Sequence, residues 1–179
     1  MVRLIQKITI MKLQLKNIKI YDKLSTDSTC FSADIYVNSK CVGDAVNDGR
    51  GGSTYITSYP EHKDLFKDAE RFLAGQPDIV YPNTSNDGSF SVESNLENWV
   101  DFQVVQKGAE LFQKKLAKDM LKGICYGNNA FYNLTYWKNY TLTELLNTPV
   151  GRKLIQQRVD ELKAKGETIL NRNLEGIIL

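Results

Sequence analysis

Cys30-Phe-Ser-Ala-Asp-Ile-Tyr-Val37, Asn38-Ser-Lys40 and Cys41-Val-Gly-Asp-Ala-Val46 form one continuous stretch whose patterning decides the fold. Phe31, Ala33, Ile35 and Val37 alternate with polar neighbours, which sends them to one face of an extended strand. Asn38-Ser39-Lys40 supplies turn formers, and the second run returns behind them. The stretch predicts a β-hairpin with one buried face.

Working outward, Lys12 to Tyr21 alternates through Leu13, Leu15, Ile18 and Ile20, with Asn17 breaking the phase. Such a break predicts a bulge or a turn. Leu24 to Ser28 reads as a polar turn. Tyr55 to Tyr59 can form another strand before Pro60, and helical spacing of Leu65, Phe66, Ala69, Phe72 and Leu73 predicts a helix from Glu61 to Ala74, stopped at Gly75. Residues 76–91 hold Pro77, Pro82, Asn83, Ser85, Asn86, Asp87 and Gly88 and read as a surface loop. It separates a strand-rich half from a helix-rich half, either as an internal loop of one domain or as the joint between two subdomains.

Ser94 or Asn95 can cap a long helix to about Leu121, with Leu96, Trp99, Val100, Val104, Leu111, Phe112, Leu116 and Met120 as its apolar stripe. Gly123 to Tyr126, the turn Gly127-Asn128-Asn129 and Ala130 to Trp137 read as a second hairpin. Thr141 and Glu144 have capping-box spacing, and Pro149 can open a last helix reaching Lys165-Gly166. Glu167 to Leu170 and Gly176 to Leu179 are apolar enough for a final strand or a docked tail. The expected fold is a single α+β domain over 1–179: an N-terminal antiparallel β-meander with a helix, then a long helix, a second hairpin and a C-terminal helix.

The totals agree with an ordinary globular chain: 179 residues, 42% hydrophobic and 25% charged. No apolar run approaches the roughly 20 residues of a membrane-spanning helix, so no membrane partner is expected. Met1 to Ile10 is too short and polar for a signal-peptide core, and Met11 opens a phrase that reads as a natural start; residues 1–10 are expected to be an N-terminal extension. Cys30, Cys41 and Cys125 are odd in number and lack Cys-x-x-Cys spacing, which fits free thiols in a reducing, cytoplasmic setting. A net charge of +2 is too small to imply nucleic acid through the global field. No sequence feature fixes an oligomeric state.

Asn47-Asp48-Gly49-Arg50-Gly51-Gly52-Ser53-Thr54-Tyr55 is the leading candidate site. Its glycines permit positive φ and close backbone approach, and successive amides can form an anion-binding nest. Arg50 can grip a phosphate or carboxylate at two points, and Ser53, Thr54 and Tyr55 add hydroxyls. The spacing is neither the phosphate-loop nor the dinucleotide fingerprint. The alternative is a flexible connection between strands. His62, the one histidine, sits at a helix start and reads as a surface residue. Lys107, Lys114, Lys115, Lys118 and Lys122, with Arg152, Lys153, Arg158, Lys163 and Lys165, can meet phosphates, but interleaved acids make solvated helix faces the default. Tyr126, Phe131, Tyr132, Tyr136, Trp137 and Tyr140 concentrate in and after the second hairpin, where outward rings can stack on bases or anchor a protein. Asp34, Asp44 and Asp48 near the first hairpin are the only metal candidates, and no catalytic constellation or cofactor motif stands out.

Phe31 to Gly43 followed by Asn47-Asp-Gly-Arg-Gly-Gly52 resembles a pattern in small phage and prophage proteins, whose ending is similar to Gly166-Glu-Thr-Ile-Leu-Asn171. The resemblance brings no activity; it implies a mobile-element setting, in which small proteins bind nucleic acids, sequester nucleotides or block host defence proteins. Strands and a Gly-rich segment ahead of a helix are also similar to the double-stranded-RNA-binding domain, without the lysine cluster expected at that helix start, where only His62 and Lys63 stand. The leading expectation is a non-enzymatic binding protein contacting a phosphate-bearing small molecule or nucleic acid through the Gly-rich loop. An inhibitor of a host protein and a metal-dependent nuclease are the alternatives.

Overall fold

The computed structural model describes residues 11–81, 88–128 and 130–178. The expected N-terminal extension, Pro82 to Asp87, Asn129 of the second turn and Leu179 lie outside the described residues. In chain order the elements are β1 (Leu13–Ile20), β2 (Phe31–Val37), β3 (Lys40–Asn47), β4 (Tyr55–Ser58), α1 (Lys63–Ala74), β5 (Ile79–Tyr81), β6 (Phe90–Val92), α2 (Leu96–Met120), β7 (Gly123–Gly127), β8 (Tyr132–Tyr136), α3 (Leu142–Leu146) and α4 (Pro149–Ala164). The fold is α+β: a four-stranded antiparallel meander and two antiparallel hairpins alternate with helices along the chain. Two compact units divide at Gly108/Ala109, inside α2.

The first unit is built on an antiparallel meander in the order β1-β2-β3-β4. Phe31, Ala33, Ile35 and Val37 are buried, as their alternation requires. Asn38 and Ser39 both take positive φ, 48° and 71°, the geometry that lets a two-residue turn follow the strand twist. Asn17, at φ 52°, marks a bulge in β1: pairing passes from Lys16↔Asp34 to Lys19↔Ser32 with one residue extra. The shift keeps Leu13 and Leu15 ahead of it, and Ile18 and Ile20 behind it, packed on the same core. Phe66, Ala69 and Leu73 of α1, with Leu96, Val100 and Val104 of α2, complete that core.

Segment 76–91 lies within the first unit and is more than a loop. Ile79, Val80 and Tyr81 pair with Val92, Ser91 and Phe90, and Tyr81 stacks on Phe90 at 4.8 Å while meeting the edge of Phe102 at 5.2 Å. The Pro- and Asn-rich middle masks these short apolar runs in the sequence. Phe72 and Leu111, placed in apolar stripes by spacing alone, are exposed.

In the second unit, Ile124 of β7, Leu142 and Leu145 of α3, Ile155, Val159 and Leu162 of α4, and Leu174 form the core. Thr141 and Glu144 make the capping box, and the Thr148 hydroxyl accepts from the Gly151 amide to start α4 behind Pro149. The tail docks on β7: the Leu170 amide donates to the Cys125 carbonyl and the Gly127 amide to the Thr168 carbonyl, both at 2.9 Å. The buried Asn171 side chain accepts from the Cys125 amide and donates to the Met120 and Gly123 carbonyls, tying the end of α2 to β7 and the tail. Cys30 and Cys125 are buried free thiols, and burial pushes the Cys125 thiol up to about 11.

A second bulge places both Val42 and Gly43 inside, since Tyr36 pairs with Cys41 but Ile35 with Gly43. A Cβ on Gly43 would lie 2.2 Å from the Thr57 carbonyl oxygen of β4. Gly43→Ala is therefore expected to force β3 and β4 apart and lower stability by roughly 1–3 kcal/mol. Urea unfolding followed by circular dichroism measures the loss.

Candidate functional site

The Gly-rich segment closes around one side chain. Asn47, only 8% exposed, accepts at Oδ1 from the Ser28 hydroxyl and the Gly49 amide, both at 2.9 Å. Its Nδ2 donates to the Gly52 carbonyl at 3.0 Å and to Thr54 Oγ1 at 3.3 Å. These four contacts use all four positions of the amide group. Gly49 is buried at φ 82°; its carbonyl accepts from the Thr26, Asp27 and Ser28 amides and from the Thr26 hydroxyl. A Cβ there would stand 2.6 Å from the Leu24 carbonyl oxygen, so glycine is required for close approach as well as for φ.

Four of the amides in the segment expected to form an anion nest are engaged. Gly49 donates to Asn47, Arg50 to the Asp48 carboxylate at 3.1 Å, Gly51 to the Ser28 hydroxyl at 3.1 Å, and Thr54 to Glu97 at 3.0 Å. Arg50, Gly51, Gly52 and Ser53 are exposed, as are Asp48 and Tyr55, whereas Thr54 is buried. The Thr54 hydroxyl donates to Asp101 at 2.5 Å, completing a relay from Asn47 through Thr54 to α2. Burial pulls the Asp101 carboxyl above its ordinary range; the Thr54 hydrogen bond opposes this, and Glu97 adds repulsion. Two carboxylates beside Thr54 give this end of the segment an acidic character unsuited to phosphate.

Asp34 and Asp44 are cross-strand partners, and the Asn17 side chain donates to Asp34 at 2.6 Å. Among the described residues no three His, Cys, Asp or Glu groups come together in metal-holding geometry. His62 is half-buried beside Pro60, Glu61 and Asp64. Several of the basic residues on helix faces are paired: Lys114 with Glu110, Lys122 with Asp119 and Arg158 with Glu161.

The second unit brings together groups that the sequence showed only as separate lists. Lys118, Leu121 and Lys122, around the end of α2, line one concavity of about 600 Å³ with Tyr136, Lys138 and Tyr140. Tyr136 is 64% exposed and Tyr140 60% exposed. The cross-strand partner of Tyr136 is Gly123, which brings no side chain over the ring. Trp137 packs inward on the core, and the Tyr140 amide donates to its carbonyl, turning Tyr140 back toward the same hollow. Tyr132 serves structure: its ring meets Phe112 edge-on at 5.5 Å and its hydroxyl donates to Asp119 at 2.8 Å.

Asp119 holds Lys122 at 2.5 Å, and that hydrogen bond, joined by the one from Tyr132, lowers its carboxyl below the usual range against the opposing effect of burial. Glu144 also lines the concavity, but its carboxylate accepts from the Thr141 amide and hydroxyl, which hold it ionised. Lys118 and Lys138 have no ion-pair partner among the described residues. They give the hollow its available positive charge. The signal missed in sequence was the junction: the end of α2 and the end of β8 meet because Gly123 starts β7 directly behind the helix.

Two outcomes test the account of the Gly-rich segment. Asn47→Ala strands several buried backbone and hydroxyl groups and is expected to cost on the order of 2–4 kcal/mol in chemical unfolding. Asp101→Asn retains an acceptor for Thr54 and removes the charge. A carboxyl raised in the folded state stabilises most below its unfolded value, and that contribution is lost as pH rises through the folded one. The melting temperature of Asp101→Asn relative to the parent is therefore expected to rise between acidic and neutral pH; scanning calorimetry across that range measures it.

Comparison with known proteins gives no counterpart: no family model, no curated protein and no solved structure matches this chain.

Proposed function

We propose that this chain is a small non-enzymatic binding protein of phage or mobile-element origin, acting in the cytoplasm to counter a host defence by taking a phosphate-bearing ligand, a nucleotide or nucleic acid. The contact surface in this reading is the concavity of the second unit, not the Gly-rich loop. One observation carries it: Lys118 and Lys138, without acidic partners among the described residues, share a hollow with two exposed tyrosine rings. Cationic groups beside aromatic faces suit phosphate joined to a planar base. The loop is the weaker site in this reading because four of its amides are used internally and Glu97 and Asp101 stand against Thr54. The mobile-element setting rests on the resemblance of Phe31 to Gly52 to phage proteins.

A second reading, inhibition of a host protein through the same surface, is favoured by Leu121, 61% exposed within the hollow. A panel of nucleotides, together with labelled DNA and RNA titrated at low and moderate salt, separates the two. Binding of at least one phosphate-bearing probe is expected, weakened by salt and reduced about tenfold or more by Lys118→Glu with Lys138→Glu. Arg50→Ala is expected to leave it unchanged. Absence of binding across the panel, or loss in Arg50→Ala alone, overturns the assignment to this surface.

A further inference from the structure

Resting on that reading, we infer that the concavity of the second unit selects single-stranded nucleic acid, with unpaired bases stacked on Tyr136 and Tyr140 and the backbone phosphates drawn to Lys118 and Lys138. The distinction from a duplex follows from which faces are presented. Most of each ring is open to solvent, and a duplex keeps its base faces against one another, so such rings gain little from it. A single strand offers free base faces and one line of phosphates. The two rings stand at separate points of the chain, one ending β8 and one just before the Thr141 cap, and both border the same hollow. Its volume of about 600 Å³ falls in the range that receives a nucleotide-sized group.

Charge complementarity commits the surface to a polyanion. Glu144, fixed in its capping box, sets one negative charge in the lining and the Asp119 carboxylate is turned to Lys122 and Tyr132, while Lys118 and Lys138, with no ion-pair partner among the described residues, leave the hollow with an excess of positive charge. Both tyrosine hydroxyls are dispensable in this arrangement, because stacking uses the ring face. That separates stacking from hydrogen-bonded recognition of a protein partner.

The test uses the whole chain and four fluorescently labelled probes: a mixed-sequence single strand, the same strand annealed into a duplex, an abasic strand of the same length, and a free nucleotide mixture. The mixed single strand is expected to bind about tenfold or more tighter than the abasic strand or the duplex. Tyr136→Ala and Tyr140→Ala are each expected to remove most of that preference, and Tyr136→Phe and Tyr140→Phe to retain it, with circular dichroism verifying the fold of each variant. Equal binding of single strand, duplex and abasic strand overturns the stacking inference and leaves the phosphate-binding reading standing. Failure of every probe overturns both. Loss of the preference in the phenylalanine variants overturns stacking in favour of hydroxyl contacts.

Discussion

A backbone polar group removed from water has to find a partner, and in this chain that constraint is met at the irregular segments by buried asparagines. Asn47 fills all four of its hydrogen-bonding positions with the turn after β1 and the segment after β3. Without it, three consecutive amides converging on the Gly49 carbonyl would close around an unsatisfied interior. Asn171 does equivalent work in the second unit, taking the Cys125 amide and returning donors to Met120 and Gly123. Side-chain amides suit both places because each carries two donor hydrogens and an acceptor oxygen at once; an ionised carboxylate only accepts, and a hydroxyl has a single hydrogen to donate.

The same constraint accounts for much of the geometry of the Gly-rich segment. A glycine cluster with an arginine has the composition of an anion-binding loop, yet an amide that already donates to a neighbour has nothing left for a phosphate. Gly49 is glycine because the Leu24 carbonyl and Cys30 crowd the place where a Cβ would stand. The Thr54 hydroxyl, a plausible ligand contact by type, is instead the middle link between Asn47 and Asp101. Asn47, Gly49 and Thr54 seat the loop on the turn after β1 and on the first turns of α2, while Arg50 stays exposed.

The hairpin, the bulge at Asn17, the helix caps at Asn95 and Thr141, the helix start at Pro149, and the buried alternation of β2 were legible in the sequence because each follows from local rules: period, phase and cap chemistry. The β5–β6 pairing was not, since three-residue runs either side of a Pro- and Asn-rich stretch carry too little periodicity. The candidate concavity was half legible. The tyrosines and lysines were each visible as groups, but their meeting depends on Gly123 and on the turn from Trp137 to Tyr140, which are tertiary facts. Leu111 shows the opposite error: helical spacing suggested a core position, and the side chain is exposed.

The second unit also shows how a modest net charge can coexist with a focused cationic surface. Interleaved acids along α2 and α4 were the reason to discount nucleic acid from the sequence, because screening among mixed charges leaves little field at a distance. Short range is different. Asp119 is largely covered and held by Tyr132, so its charge is spent on orienting Lys122, and Glu144 is spent on the start of α3. At the rim of the hollow Lys118, Lys138 and the exposed rings stand with the single ionised carboxylate of Glu144. In the proposed reading such a surface contributes little long-range steering and relies on contact, which puts its selectivity in the aromatic faces rather than in the overall charge of the chain.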